Sequence, residues 1–223
     1  MSMGDAQGER EEIDAIRRCQ QGDIASLGTL VARYQIPAVR LAYLLTGDHA
    51  LADDIAQDSF LLAYRGIKRF RLDKPFAPWF YRIVTNTARQ QMRYAHHRHE
   101  ISLDALSPDD SVNAAARPIR ASTDATYRSR ADRMADPAEY AEVAETHAAL
   151  LAVLAALPQK QREAVVLRYY LGYSDQQIAL ILGRRLGTVQ QRLHAGRANL
   201  QQAIRRHYPW LLSALSTLST NEL

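Results

Sequence analysis

Residues 157–200 read LPQKQREAVVLRYYLGYSDQQIALILGRRLGTVQQRLHAGRANL and contain two helical patterns separated by Gly183. Ser174, followed three residues later by Gln177, forms a capping-box pattern, which predicts that a helix begins at Asp175. Gly183 predicts its end, because glycine readily adopts the left-handed conformation that closes many helices. Apolar residues recur at helical spacing on both sides of this glycine. The stretch therefore predicts a helix-turn-helix.

The second helix of this motif carries charge of one sign. Residues 176–210 contain no Asp or Glu, although several arginines lie among them. A cationic helix beside such a turn suits a DNA duplex, because neutralising phosphates releases condensed counterions. The alternative is a solvated basic face on an ordinary helical hairpin. The arginines are Arg184, Arg185, Arg192, Arg197, Arg205 and Arg206.

Charge is also segregated in the first half of the chain. The 223 residues are 47% hydrophobic, which is enough for one or two helical cores, and the net charge is only +4. Residues 47–62 nevertheless contain no Lys or Arg, whereas residues 63–98 contain one acid, Asp73, among many cations. This segregation predicts two partners, one basic and one polyanionic.

Several classes of protein are excluded by what the sequence lacks. Cys19 is the single cysteine, so an internal disulfide framework or a cysteine-rich zinc site is ruled out. No signal peptide and no apolar run of about 18 residues is present, so we expect a soluble, cytoplasmic protein without membrane insertion. No phosphate-binding glycine loop or metalloprotease motif occurs, which predicts no enzymatic activity, catalytic residue, metal or cofactor. His96, His97, His99 and Glu100 are expected to be solvated or close to phosphates.

The segregated charges lie on two neighbouring elements. Residues 50–68 form an amphipathic pattern whose apolar positions can turn inward, while acidic residues from Asp53 to Asp58 line the outer face. This face is either solvated or binds a basic partner. Cations and aromatics then interleave in RGIKRFRLDKPFAPWFYRIVTNTARQQMR, residues 65–93, as single-stranded nucleic acid requires for stacking and backbone contact. Trp79 and Ile83 fit the core by their spacing.

The order of these parts defines the expected domains of an all-α protein. We expect a disordered N-terminus at 1–10, a helical domain at 11–95 and a flexible linker at 96–136, where helical periodicity is lost. Asp136 and Pro137 predict the start of the next helix. The helix-turn-helix domain would occupy 137–208, and a tail 209–223.

This order of motifs resembles the extracytoplasmic-function group of bacterial sigma factors. The resemblance rests on LADDIAQDSFLLAY, then KPFAPWFYRIVTNTAR, then a linker, and then residues 157–200. It implies a dissociable specificity subunit that binds the β and β′ subunits of core RNA polymerase and both duplex and single-stranded promoter DNA. An anti-sigma protein is a further candidate partner. The linker is longer than is usual in small members of the group.

The resemblance also implies roles for particular residues. Polymerase binding falls to the acidic helix, opening of the minus-ten element to the basic block, and reading of the minus-thirty-five element to the second helix of the motif. Glutamine can pair bidentately with adenine, so an adenine preference in the upstream element is expected. The implied polymerase contacts are Asp53, Asp54, Gln57, Asp58 and Leu61, and the minus-ten contacts are Arg69, Phe70, Arg71, Lys74, Asn86, Thr87, Arg89 and Arg93. The implied minus-thirty-five contacts are Arg184, Arg185, Thr188, Gln190, Gln191, Arg192, His194 and Arg197.

Some features leave alternatives open. Ala195 stands where the group often has a basic residue, and Gly196 is expected to weaken the recognition helix by about 1 kcal/mol relative to alanine. Apolar residues of the tail suggest docking on the second domain, although an inhibitory partner could use the same surface. A helix-turn-helix regulator that acts without polymerase is the main alternative function, and a helical adaptor is the other. The apolar tail residues are Trp210, Leu211, Leu215 and Leu218.

Overall fold

The computed structural model describes the backbone of residues 3–104 and 137–211, and the side chains of residues 7–94 and 143–211. These residues form helices and turns without a strand, which confirms the predicted all-α fold. The first half, residues 3–104, holds α1 Met3–Gln20, α2 Leu27–Thr46, α3 His49–Gly66 and α4 Phe76–Asp104, with a 3-10 helix Ile67–Arg69 before α4. The second half, residues 137–211, holds α5 Pro137–Ala156, α6 Gln159–Tyr169, α7 Asp175–Leu182 and α8 Leu186–His207.

The core of the first half forms where α2 packs against α1, α3 and α4. The Asp48 carboxylate accepts a hydrogen bond from the Leu51 N–H at 3.1 Å and so caps α3, which begins directly after the α2–α3 turn. Tyr34 of α2 lies with its ring centroid 5.4 Å from that of Phe76 and 5.7 Å from that of Phe80. These aromatic contacts fix α4 across α2.

The N-terminal helix is longer than we expected, and α2 is continuous through a proline. We expected disorder through residue 10, but α1 begins at Met3, and tertiary contacts explain its order. Arg33 of α2 donates to the Gly8 carbonyl at 2.7 Å and lies 3.3 Å from the Glu12 carboxylate. Pro37 lies inside α2, where a proline ordinarily kinks or breaks a helix, yet the helix continues through it. Tyr34, Ala38 and other α2 residues are buried on both sides of the proline, so tertiary packing stabilises the continuous helix.

Helix α4 also extends beyond the predicted boundary of the first domain. We placed the start of the linker at residue 96, whereas the helix continues to Asp104. The sequence has no Gly or Pro between Tyr94 and Asp104, so nothing in the backbone requires an earlier end. Residues 105–136 of the predicted linker lie outside the described residues. The described part of the next helix begins at Pro137.

Helix α6 is the centre of the second half. Its residues from Glu163 to Leu167 are all buried, because α8 crosses on one side and α2 of the first half lies on another. Gly196 of α8 sits at the crossing with α6, where an added Cβ would lie 2.7 Å from Val165 Cγ2. Asn199 donates to Gln161 Oε1 at 2.7 Å just beyond it. Gly196 thus permits close approach of two helices, a role that our expectation of a merely weakened helix missed.

The two halves pack directly against each other. Buried apolar residues of both halves belong to one continuous cluster, in which α2 faces α6 and α4 faces α7. Arg162 of α6 donates to the Leu45 carbonyl at the end of α2 at 2.7 Å. Tyr81 of α4 and Tyr173 of the second half meet with ring centroids 6.0 Å apart. The halves are therefore joined by direct packing and hydrogen bonds as well as by the linker.

The tail begins by docking on the second half, as expected. Leu211 is buried against Ala149, Val153 and Ile204, and Trp210 before it is partly exposed. Leu215 and Leu218 lie outside the described residues. In the described part of the chain, none of the helices combines the length and the apolar character needed to span a bilayer.

The α6–α8 crossing yields a stability prediction. Gly196→Ala should lower the free energy of unfolding by about 1–3 kcal/mol, because overpacking against Val165 outweighs the gain in helix propensity. Denaturant unfolding measures the change. Gly187→Ala is the matched control: no atom lies within 4 Å of its added Cβ, so it should be neutral or stabilising. Equal effects at the two glycines would contradict this account.

Candidate nucleic-acid and polymerase interface

Helix α3 presents a continuous acidic face to solvent. Its opposite side is buried through Ile55, Phe60 and Ala63, as the amphipathic pattern predicts, whereas Leu62, which was also expected to turn inward, is exposed. The Leu61 side chain, at the end of the acidic face, is 55% exposed. Leu61 therefore adds an apolar side chain to the end of this acidic surface. The exposed polar residues of the face are Asp53, Asp54, Gln57 and Asp58.

The loop between the 3-10 helix and α4 presents the predicted cations. Arg69, Arg71 and Lys74 are exposed. Arg71 donates through Nε and Nη2 to the two oxygens of Asp73, at 2.9 and 2.8 Å. These hydrogen bonds lower the pKa of the Asp73 carboxyl. Asp73, the one acid of this basic segment, is therefore paired with Arg71 and orients its guanidinium group.

Aromatic residues of this block are mostly structural. Phe70 was assigned to the minus-ten contacts, but it is only 8% exposed, and its ring lies 4.9 Å from that of Trp79. Gln20 holds the loop by donating to the Ile67 and Phe70 carbonyls at 2.9 and 2.8 Å. Phe80 is fully buried. In this structure Phe70 therefore fixes the loop and offers no free ring for stacking.

The surface of α4 carries the remaining predicted minus-ten residues. Asn86 and Arg93 are exposed, whereas Thr87 is only 6% exposed, because it lies on the face of α4 that points into the core. Arg89 donates through Nη1 to Asn86 Oδ1 at 3.0 Å. A DNA contact by Thr87 would require its surroundings to rearrange.

Arg89 makes a bidentate ion pair with Glu163 of the second half. Its Nε and Nη2 lie 2.6 and 2.7 Å from the two carboxylate oxygens. The Glu163 side chain is 1% exposed and that of Arg89 23%. Glu163 was not among the predicted functional residues, since a single acid beside AVVL in a helix gives no local signal of such a partner.

The helix-turn-helix has the predicted geometry. Gln177 N–H donates to Ser174 Oγ at 3.3 Å and Ser174 N–H to Gln177 Oε1 at 2.9 Å, which confirms the capping box. Gly183 ends α7 with φ of 61°. Gln190, Gln191 and His194 of α8 are exposed together, as are Arg184, Arg185 and Arg197.

Two predicted members of this surface are less accessible. Thr188 and Arg192 are half-buried. Burial lowers the pKa of Arg192, while the nearby Glu163 carboxylate acts in the opposite direction. Repulsion from Arg184 and Arg89 lowers the pKa of Arg192 further, so cations from both halves lie near Arg192.

The histidines near the end of α4 lie on helix backbone, with side chains outside the described residues. Among the described residues, no cluster of His, Cys, Asp and Glu is suited to hold a metal ion. The capped turn before Gly183, the exposed arginines of the helix-turn-helix and the acidic face of α3 form the arrangement of a helix-turn-helix DNA-binding protein with a separate acidic surface.

Comparison with known proteins identifies this arrangement. Residues 30–98 match the model of Sigma-70 region 2, and residues 147–200 match that of Sigma-70, region 4. The chain is 28% identical to the ECF RNA polymerase sigma-E factor of Escherichia coli, over 85% of this chain and 92% of that protein. It is 30% identical to the probable RNA polymerase sigma factor RfaY of Xanthomonas campestris pv. campestris over 92% of this chain, and spans 46% of that relative's length.

A solved structure has a similar fold. The sigma factor RpoE in complex with the anti-sigma factor NepR, from Bartonella quintana, matches with a TM-score of 0.57 and 21% sequence identity. The match covers 82% of this chain and 98% of that one. The chain belongs to the extracytoplasmic-function group of the sigma-70 family, whose role is in transcription initiation.

Proposed function

We propose that this protein is a promoter-specificity subunit that binds core RNA polymerase, reads the minus-thirty-five duplex and opens the minus-ten element. The observation that carries this proposal is the exposed acidic face of α3 on a chain that also has two basic surfaces. A regulator that binds duplex DNA alone has no need of such a face. Family membership supports the same reading.

The acidic face is the proposed polymerase contact. Asp53, Asp54, Gln57 and Asp58 would face cationic surface of the β and β′ subunits, with Leu61 supplying apolar contact at one end. Charge complementarity of this kind directs association and fixes register. Gln91 of α4 lies 3.5 Å from the Asp58 carboxylate, so the two proposed surfaces adjoin each other.

The basic loop and α4 are the proposed minus-ten contacts. Arg69, Arg71, Lys74 and Arg93 are placed to follow the phosphates of a separated strand, and Asn86 can hydrogen-bond a base edge. Flipping a base out of the stack costs a few kcal/mol, which these contacts must offset. Phe70 and Thr87 would support the loop and helix rather than stack with bases.

Helix α8 is the proposed reading helix for the upstream element. Gln190, Gln191 and His194 are exposed on it and can reach base edges in the major groove. Phosphate contacts would position the helix without specifying sequence. The proposed phosphate contacts are Arg184, Arg185, Thr188, Arg192 and Arg197.

An inhibitory protein partner is proposed on the strength of the fold. The structure of RpoE with the anti-sigma factor NepR has a similar fold, and exposed apolar residues occur on both halves of this chain. The docked Leu211 is unavailable to such a partner unless the tail detaches.

The upstream reading predicts a base preference. Binding-site selection with the polymerase holoenzyme should return adenines in one strand of the upstream element, because glutamine pairs with adenine N6 and N7. Gln190→Ala and Gln191→Ala should each relax one position, at a cost of about 1–3 kcal/mol of discrimination. Arg205→Ala, on the last turn of the same helix, is the control that should leave the selected sequence unchanged. Unaltered preferences in both glutamine variants would contradict the assignment.

The polymerase contact predicts a charge-reversal effect. With purified core polymerase and a fragmented genomic library, the wild type should direct discrete run-off transcripts whose start sites share upstream elements. Asp54→Arg should reduce their yield by roughly tenfold or more, because it places repulsion on the docking face. Glu9→Arg, which reverses an exposed acid on α1, should retain full yield. Specific duplex protection by the protein alone, without initiation in any reaction, would instead identify a regulator that acts without polymerase.

A further inference from the structure

Glu163 occupies a position that needs explanation. Its carboxylate is almost completely buried between the halves and accepts both hydrogen bonds from Arg89, with Gln159 Nε2 at 3.4 Å as an additional donor. A buried charge is retained only when it is paired, so the burial of Glu163 depends on Arg89. Arg89 is also one of the residues that the family resemblance assigns to minus-ten DNA.

A carboxylate in this position resembles a bound phosphate. Arginine recognises both groups in the same bidentate manner, through two parallel N–H donors. While Arg89 is paired with Glu163, those donors cannot contact a DNA strand. The carboxylate is also close enough to Arg192 of the reading helix to affect its electrostatics.

Other contacts close the same interface. The helix-turn-helix turn lies against α4, since an added Cβ at Gly183 would be 3.4 Å from Arg82 Nη2. Arg162, next to Glu163, donates to the Leu45 carbonyl of α2 at 2.7 Å. Tyr81 and Tyr173 pack edge to face across the same boundary.

In the closed arrangement, the two DNA-binding surfaces are too close together to contact both promoter elements at once. The two promoter elements are named for positions about 25 base pairs apart, which corresponds to roughly 85 Å of duplex at 3.4 Å per pair. A compact chain of this length has a radius of gyration of about 17 Å, so its two DNA-binding surfaces cannot reach both elements together. The halves must therefore separate before both elements are engaged.

We propose that Glu163 is an autoinhibitory latch, which holds the halves closed by occupying Arg89 in place of a DNA phosphate. This inference rests on the proposed function in taking Arg89 as a DNA contact. Apparent affinity falls in proportion to the fraction of molecules in the open state. Core polymerase and promoter contacts would supply the free energy that breaks the latch.

The experiment removes the charge with little change of shape. Glu163→Gln is compared with wild type and with Glu145→Gln, an exposed glutamate of the same half. Binding of a fluorescein-labelled single-stranded DNA is measured by anisotropy without polymerase, and the radius of gyration of the free protein by small-angle X-ray scattering. Glu163→Gln should bind roughly tenfold more tightly and have a larger radius of gyration, and Glu145→Gln should match wild type.

Two results would overturn the latch: a wild-type protein that is already extended, or a Glu163→Gln protein with unchanged DNA affinity. Arg162→Gln provides a second test, because it removes the hydrogen bond to the Leu45 carbonyl without touching a proposed DNA residue, together with hydrogen bonds to the Ala155 and Leu157 carbonyls of its own half. It should change both readouts in the same direction. Circular dichroism confirms that each variant is folded.

The experiments can refute the latch and the proposed function independently of each other. Run-off transcription with core polymerase tests the sigma activity of the wild type, whatever the state of the latch. If run-off fails while Glu163→Gln still gains DNA affinity, the latch stands as a control on DNA binding and the polymerase role falls. If run-off succeeds while Glu163→Gln gains no affinity, the latch is wrong and the proposed function remains.

Discussion

Helix α6 is buried by two different parts of the chain, α8 of its own half and α2 of the other. Five consecutive residues, 163–167, have almost no exposed surface, and one of them is an acid. Separating the halves exposes one side of this helix and removes the Arg89 partner of Glu163. Breaking a buried pair of this kind costs about 3–5 kcal/mol when a partner is simply removed, and less when both charges regain water. The closed state is therefore maintained both by apolar contact and by a specific ion pair.

Local signals predicted much of the fold and several exposed surfaces. The capping box at Ser174, the glycine end of α7 and the acidic face of α3 depend on residues only a few positions apart, and all three are present. The Arg89–Glu163 pair joins residues 74 positions apart, so no local pattern could reveal it. The sequence predicts only that Gly196 weakens its helix, because the α6 contact that it permits is likewise distant in sequence. The order of α1 and the continuity of α2 through Pro37 also depend on tertiary packing.

The separation of charge explains how one small chain can serve different partners. The acidic face of α3 and the exposed glutamines of α8 remain accessible in the closed state, whereas Arg89 is paired. The closed chain could therefore bind a protein partner through the acidic face first, and contact the minus-ten strand after Arg89 is released from Glu163. Buried aromatic residues such as Phe70 and Phe80 hold the basic block in place.

The central claim is that promoter engagement requires the two halves to separate. It is tested most directly by electron-paramagnetic-resonance distances between spin labels at Gln21 and Gln202, which are exposed on opposite halves, in a Cys19→Ser background. The free protein should give one narrow distance distribution, and the complex with core polymerase and promoter DNA should give a distance longer by tens of ångströms, as the roughly 85 Å between elements requires. The same distance in the free protein and in the transcriptionally active complex would contradict the account.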